Sequence, residues 1–244
     1  RGIKTDQQDI KENLKFGKKI HVERHPLSQE EYRMIIDVIR NPKRKALFLL
    51  LGSSGMRIGE AMQLKKKDLE LSQERIKVNI PAEITKTRKG RSTYMSRETE
   101  KMLRPFLDDY ADDDFIFDFG STTDKSMRSA RESNNLRTVL KRLNLDDRYP
   151  SNNHGKITTH SFRAYFFTLA TRRHGENYAH RLTGHSGYLM QYDRMTEEEK
   201  LDMYIELEQD LMIYDQTKNE LEIERLQKDN KELTKLRQEI RELR

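Results

Sequence analysis

The 244-residue chain contains no cysteine, which excludes disulfide staples and thiolate metal ligands and suits a reducing compartment. It also lacks any run of about 18 apolar residues, the length that suggests a membrane span. Its first residues carry no apolar stretch of the kind a secretory signal contains. No internal repeat is visible, and no carboxylate cluster has metal-ligand spacing. His154, His160, His174, His180 and His185 lack the cysteines or tight repeated spacing of a zinc site, so neither metal nor cofactor is expected. Hydrophobic residues make up only 34% of the chain and charged residues 36%, and the expected location is cytoplasmic. What is abundant is charge, unevenly placed. Residues 1–195 hold 38 Lys+Arg against 26 Asp+Glu, whereas residues 196–244 hold 9 against 15. A basic body followed by an acidic tail points to a polyanion partner for the first and a different task for the second.

The length allows one sizeable core with an appendage. Residues 1–26 are polar and lysine-rich with little periodicity, and read as an arm or the remnant of a linker. In "PLSQEEYRMIIDVIR", Ser28 and Glu31 form a capping box, with Leu27 and Tyr32 as its hydrophobic staple. "RKALFLLLGSSGMRIGEAMQL" reads as a buried helix, a Gly/Ser turn at 52–55 and a second helix from near Arg57. "RIKVNI" alternates Ile76, Val78 and Ile80 with polar residues, as a half-buried strand does. "EITKT" and "STYMS", joined by the turn "RKGR", are expected to add two more strands. Helices are expected from Ser96 onward, interrupted most clearly by the loop at 148–156. From Thr217 to Arg244 there is neither Gly nor Pro. Ile223, Leu226, Leu233, Leu236, Ile240 and Leu243 follow near-heptad spacing, with Asn230 on the same seam. That pattern, narrowly apolar and otherwise heavily charged, favours a coiled coil between protomers over one exposed helix packed on its own domain.

Four motifs carry residues suited to chemistry. "GSSGMRIGEAMQL" places Arg57 at a turn-to-helix junction with Glu60 one turn later. "EITKTRKGRSTYMS" puts Lys86 near a hairpin. "ITTHSFRAYFFTLA" projects His160 and Arg163 from one side of a helix start. "RLTGHSGYLMQYDR" holds His185 between Gly184 and two tyrosines, Tyr188 and Tyr192. Singly, each has an ordinary explanation: an Arg57–Glu60 ion pair, a solvated lysine, a helical His-x-x-Arg, a histidine cap.

In this order the motifs resemble the catalytic domain of the tyrosine recombinases, the phage- and virus-type integrases, over about residues 27–200. The resemblance implies a mainly α-helical fold with a small antiparallel three-stranded β-sheet, here followed by the C-terminal helix. It divides the chain into the arm, a catalytic domain over 27–212 and a tail helix over 213–244. Carried over motif by motif, it implies Arg57, Lys86, His160, Arg163 and His185 as catalytic residues, with Glu60 in support and a tyrosine nucleophile. In many members that tyrosine lies nine residues beyond the "GH" histidine, but here the place is taken by Arg194. Tyr192 is seven beyond, Tyr188 three and Tyr204 nineteen. "QYDRMTEEEK" resembles the variant seen in integrases of archaeal viruses, which favours Tyr192. Tyr204 instead sits at helical spacing among Leu201, Leu207 and Leu211, as a core residue would.

The chemistry agrees with that carry-over. Attack on a phosphodiester builds charge on nonbridging oxygens, which guanidinium forks such as Arg57 and Arg163 stabilise. His160 and His185 supply donors, and one of them can move a proton near neutral pH. A tyrosine with a pKa of about 10 needs a base or a positive field to attack, and Lys86 suits protonation of the leaving 5′ oxygen. The basic runs contribute Lys43, Arg44 and Lys45, then Lys65, Lys66 and Lys67, then Arg88, Lys89 and Arg91, then Arg172 and Arg173, all expected as phosphate contacts on double-stranded DNA. Family members act as four protomers on two duplexes, so self-association on DNA is expected. Two other readings are a type IB topoisomerase-like enzyme, which relaxes DNA as a monomer, and a DNA-binding architectural or regulatory protein that has lost catalysis.

Overall fold

The computed structural model describes residues 23–71, 74–120, 124–184 and 194–242. Helix α1 (Gln29–Val38) begins at the expected capping box: Ser28 Oγ accepts from the Glu31 amide, and the Glu31 carboxylate accepts from the Ser28 amide. Leu27 and Tyr32 flank it, both buried in the core. The run of leucines forms α2 (Pro42–Ser54), capped by Asn41 and buried from Ala46 to its end. Gly52, Ser53 and Ser54 do not turn, contrary to the sequence reading. The helix continues through them, because the Tyr32 ring packs where a Gly52 side chain would stand and its hydroxyl donates to the Phe48 carbonyl at 2.9 Å. The chain turns at Gly55, whose φ of +65° few other residues adopt, and enters the single turn α3 (Ile58–Ala61).

One three-stranded antiparallel sheet follows: β1 (Leu69–Glu70), β2 (Lys77–Ile80) and β3 (Arg91–Tyr94), in that order. "EITKT" is not a strand. Pro81 has no N–H for a ladder, Ala82–Ile84 form a 3-10 turn, and Thr85 Oγ1 bonds both the Ala82 carbonyl and the Lys89 amide. That segment becomes the tip of the β2–β3 connection. The third strand is instead the two-residue β1, paired Leu69 to Val78 and Glu70 to Lys77. Two residues are too few for alternation to be legible.

Helices α4 (Arg97–Leu107), α5 (Lys125–Arg142), α6 (Thr159–His174), α7 (Glu176–Thr183), α8 (Glu197–Leu211) and α9 (Asp215–Glu242) complete the described chain. Helix α2 is the axle: α4 and α6 pack along it, and α6 carries α7 and α8 on its other sides. Phe48, Phe162, Phe166 and Tyr32 meet in the centre, with Tyr32 edge-on to Phe162 at 5.0 Å. Helix α8 is tied across sheet and axle by polar bonds. Tyr204 is wholly buried and its hydroxyl donates to the Ser53 carbonyl at 2.8 Å. Buried Glu208 accepts from Arg75 at 2.7 Å and from the Arg97 amide at 2.6 Å.

The strap between α8 and α9 depends on side chains for its backbone bonds. Gln29 donates to the Met212 carbonyl and Arg33 to that of Ile213, while the buried Glu98 carboxylate accepts the amides of Ile213 and Tyr214. Beyond this point α9 leaves the body. Arg97 and Lys101 pair with its Glu224 and Glu220, while Ile223, Leu226, Leu233 and Leu236 are each about half exposed, between 47% and 57%. Burial pushes the Glu98 carboxyl up to about 7, against the pull of the two amides. A carboxyl raised in the folded state adds stability at low pH that is lost as pH rises through that value. Glu98→Gln, an uncharged acceptor of the same shape, is therefore expected to raise Tm at about pH 8 and to leave it unchanged near pH 4. The gain should be on the order of 2 kcal/mol, and thermal melts at the two pH values check it. Equal effects at both would contradict the assignment.

Candidate active site

The elements just described bring three of the four motifs together. Arg57 sits at the N-cap of α3, its side chain 27% exposed, and Glu60 one turn on is 2% exposed. Glu60 accepts from the Arg57 amide through Oε2 and from Arg57 Nη1 through Oε1, both at 2.9 Å. It also accepts from Arg91, the first residue of β3, with Nη2–Oε2 at 2.6 Å and Nη1–Oε1 at 3.3 Å. Arg163, in the second turn of α6 after its Thr158 cap, is 1% exposed. Its Nη1 donates to the Gly55 carbonyl at 2.5 Å and its Nη2 to the Thr183 carbonyl at 2.6 Å. Those bonds lock the guanidinium plane between the turn that launches Arg57 and the end of α7. Gly55 cannot be replaced without disturbing them, since an added Cβ would lie 2.5 Å from Phe166.

Electrostatics show how tightly the groups are gathered. Burial, then the Arg57 and Arg91 charges, push Arg163 down to about 9, with Glu60 pulling the other way, so it stays charged at neutral pH. Desolvation of its ring, then the Arg163 and Arg57 charges, hold the otherwise exposed His160 below the ordinary imidazole range. Burial alone would raise the Glu60 carboxyl, but the bonds and charge of Arg91 and the bonds of Arg57 hold it below the usual range. Arg57 and Arg91 thus hold one carboxylate, and the Arg163 charge adds to theirs. The excess positive field is suited to a polyanion.

Other expected site residues lie elsewhere. Lys86 is exposed on the β2–β3 connection and makes no ion pair among the described residues. His185, Tyr188 and Tyr192 lie outside the described residues. The flanks of their segment both border β3: Arg91 Nε donates to the Leu182 carbonyl at 2.9 Å, and Tyr94 donates to that of Glu197 at 3.1 Å. Tyr204 is no nucleophile, because burial raises its phenol far above the ordinary range and its hydroxyl is spent on Ser53.

The basic runs are less available than their sequence suggests. Arg44 pairs with buried Glu132 at 2.5 Å, Lys65 and Lys67 share Asp113, and Arg173 grips Asp210 through two bonds at 2.8 and 2.9 Å. Lys66 donates to the Tyr110 carbonyl at 2.6 Å, Lys43 lies over the Phe106 and Tyr110 rings, and Lys45 is half-buried. Arg91, grouped with them by sequence, is 7% exposed and belongs to the Glu60 cluster. Arg88, Lys89 and Arg172 are exposed, with no ion pair among the described residues. The carboxylate partners are remote in sequence, so nothing local marked these pairs in advance. Among the described residues no group of His, Cys, Asp and Glu could hold a metal ion, and no helix is long and apolar enough to cross a membrane.

Comparison with known proteins bears on this arrangement directly. No curated protein matches the chain in sequence. Among solved structures it is similar to XerA recombinase, with 23% identity over 80% of this chain and 67% of that one, at a TM-score of 0.52. It is similar to an integrase from mycobacterium phage Brujita, with 16% identity, coverage of 79% and 61%, and a TM-score of 0.56. It is also similar to a lambda integrase tetramer bound to a Holliday junction, with 17% identity, coverage of 79% and 55%, and a TM-score of 0.54. At these identities the likeness is one of fold, and the chain spans little more than half the length of the latter two. The sequence profile of the phage integrase family matches residues 25–199, the span that holds Arg57, Glu60, Lys86, Arg91, His160, Arg163, His185 and Tyr192. The chain belongs to the phage integrase family, the tyrosine recombinases.

Proposed function

We propose that this protein cuts and rejoins double-stranded DNA without a metal, through a covalent 3′-phosphotyrosyl intermediate. The single observation that carries this reading is the cluster itself. Arg57 and Arg91 hold the Glu60 carboxylate, and Arg163, bonded to the Gly55 turn that leads into Arg57, adds a third guanidinium charge. A phosphate gaining charge in an in-line displacement is the ligand such a surplus suits. In this reading Tyr192 Oη attacks the phosphorus, the bond to the 5′ oxygen breaks, and Lys86 on its exposed connection gives that oxygen a proton. His160, neutral at pH 7, takes the tyrosine proton, and His185 adds a donor. Because the ester keeps the bond energy, a 5′-hydroxyl from a partner strand reverses the step with no nucleotide hydrolysed.

Residues 27–212 form the catalytic unit of this reading, and 213–244 a tail whose exposed Ile223–Leu236 seam couples protomers on DNA. The lambda integrase similar to this chain is a tetramer on a Holliday junction, which supports assembly in fours. In this reading the protein is DNA-associated, in the cytoplasm.

Nicked duplexes with a randomised core, incubated with the protein in EDTA and resolved on a denaturing gel, should give an SDS-stable adduct. Tyr192→Phe should abolish it. An adduct formed equally by Tyr192→Phe would remove that tyrosine from the reaction, and DNA binding with no adduct from the unaltered chain would favour the architectural reading. Processive relaxation of supercoiled plasmid by the monomer would favour the topoisomerase-like one. Binding should also be weak and salt-sensitive. With Lys86, Arg88, Lys89 and Arg172, exposed cations of the motif and basic runs, as four phosphate contacts, affinity should drop about a hundredfold between ~50 and ~200 mM salt; anisotropy titrations showing a flat response would contradict that. Finally, His160 sits below the ordinary imidazole range and must be neutral to accept a proton. The acid limb of the cleavage rate should therefore have its midpoint below the free-imidazole value of about 6.5. A midpoint above 7 would exclude His160 as the acceptor.

A further inference from the structure

Arg91 ties Glu60 to the end of α7, although no motif in the sequence singled it out as anything but one more cation. It opens β3 opposite Ile80, at the base of the connection that carries Lys86. Its two Nη atoms hold both oxygens of Glu60, and its Nε holds the Leu182 carbonyl at 2.9 Å. Its methylene stem packs under Gly184, where an added Cβ would stand 2.8 Å from Arg91 Cδ. Gly184, at φ +71°, caps α7 and immediately precedes His185. One guanidinium therefore joins the hairpin, the α3 turn of Arg57 and the end of α7.

We propose that Arg91 is a positioning residue for strand cleavage, acting through Glu60 on the Arg57 fork and through the Leu182 carbonyl on the turn into His185. The inference rests on the reading of the chain as a DNA-cleaving enzyme. Glu60 receives four donors, two from Arg57 and two from Arg91, which fills the roughly four lone-pair sites a carboxylate offers. So saturated, it cannot pivot. Without Arg91 the buried carboxylate would swing to satisfy itself on Arg57 alone, drawing that guanidinium out of line and cancelling its charge. A lysine could keep the charge but not three bonds in one plane. At 7% exposure, Arg91 is poorly placed to hold a phosphate itself, which separates this role from the one its basic neighbours suggest.

The test uses the full chain and nicked duplexes with a randomised core, comparing Arg91→Met, Arg91→Lys, Glu60→Gln and the double variant Glu60→Gln/Arg91→Met. Anisotropy gives Kd and its salt dependence, and single-turnover adduct formation at saturating DNA gives rate and amplitude separately. Arg91→Met is expected to bind within about twofold of the unaltered protein, with the same salt slope, and to cleave about 10- to 100-fold more slowly, the range for residues that orient others in a site. Arg91→Lys should not restore the rate. The double variant should be no slower than the slower single one, because both act through one bond network. A merely structural arginine would lower adduct amplitude and Tm while leaving the rate constant of the folded fraction unchanged, and that result would overturn the proposal. So would weakened binding with a shallower salt slope, or rate losses that multiply in the double variant. If the unaltered chain forms no adduct, the enzymatic reading falls and this inference with it. An adduct from the unaltered chain with an unchanged Arg91→Met rate removes this inference alone.

Discussion

A buried carboxylate must be paired, and nearly everything distinctive in this site answers to that constraint. Glu60 is 2% exposed, an environment in which an unpartnered charge costs several kcal/mol. Its partners are Arg57 on the same turn and Arg91 on the sheet, so sheet and α3 turn cannot separate without stranding it. Arg163 meets the same problem from the other sign. Its guanidinium is tied to the Gly55 and Thr183 carbonyls, both at chain turns where helical bonding has ended. The ends of α2 and α7 thus satisfy a buried cation, and the cation fixes the two turns that border the site.

Surplus charge is the second theme. Arg57, Arg91 and Arg163 carry more charge than one carboxylate offsets, and burial first, then that repulsion, lowers the affinity of Arg163 and His160 for their protons. A fold does not tolerate such a cluster for stability's sake. At the meeting point of α3, α6, α7 and β3 the cluster gives a positive field suited to the anion of the proposed reaction. In the runs of Lys and Arg on the outside, Arg44, Lys65, Lys67 and Arg173 are instead met by the carboxylates of Glu132, Asp113 and Asp210.

Local signals were legible where the physics is local. The Ser28 capping box, the buried body of α2 and the strand Lys77–Ile80 within "RIKVNI" depend on residues within a few positions of one another, and all were legible in the sequence. The family signature was legible for the same reason: Arg57 with Glu60, and His160 with Arg163, are pairs set by one turn of helix. Periodicity failed where elements are too short to show it. Strand β1 has two residues, and Pro81 with Thr85 turns "EITKT" into a loop tip that no alternation could foretell. Gly52 and Ser54 look like turn residues by type, yet Tyr32 packing on Gly52 keeps α2 helical through them.

What the sequence by itself determined was the kind of protein: a mainly helical, basic body of the tyrosine recombinase family, with its arginines and histidines in recognisable order, and a charged tail helix. Which cations face solvent and which are held inside was decided only by the tertiary structure. Charge pairing depends on distances across the fold, so a "KTRKGR" run reads as one basic patch on paper. Folding divides it, with Arg88 and Lys89 outward and Arg91 turned inward onto Glu60. The division follows from β3 starting at Arg91, where strand register sends that side chain toward α3 and α7 rather than to water.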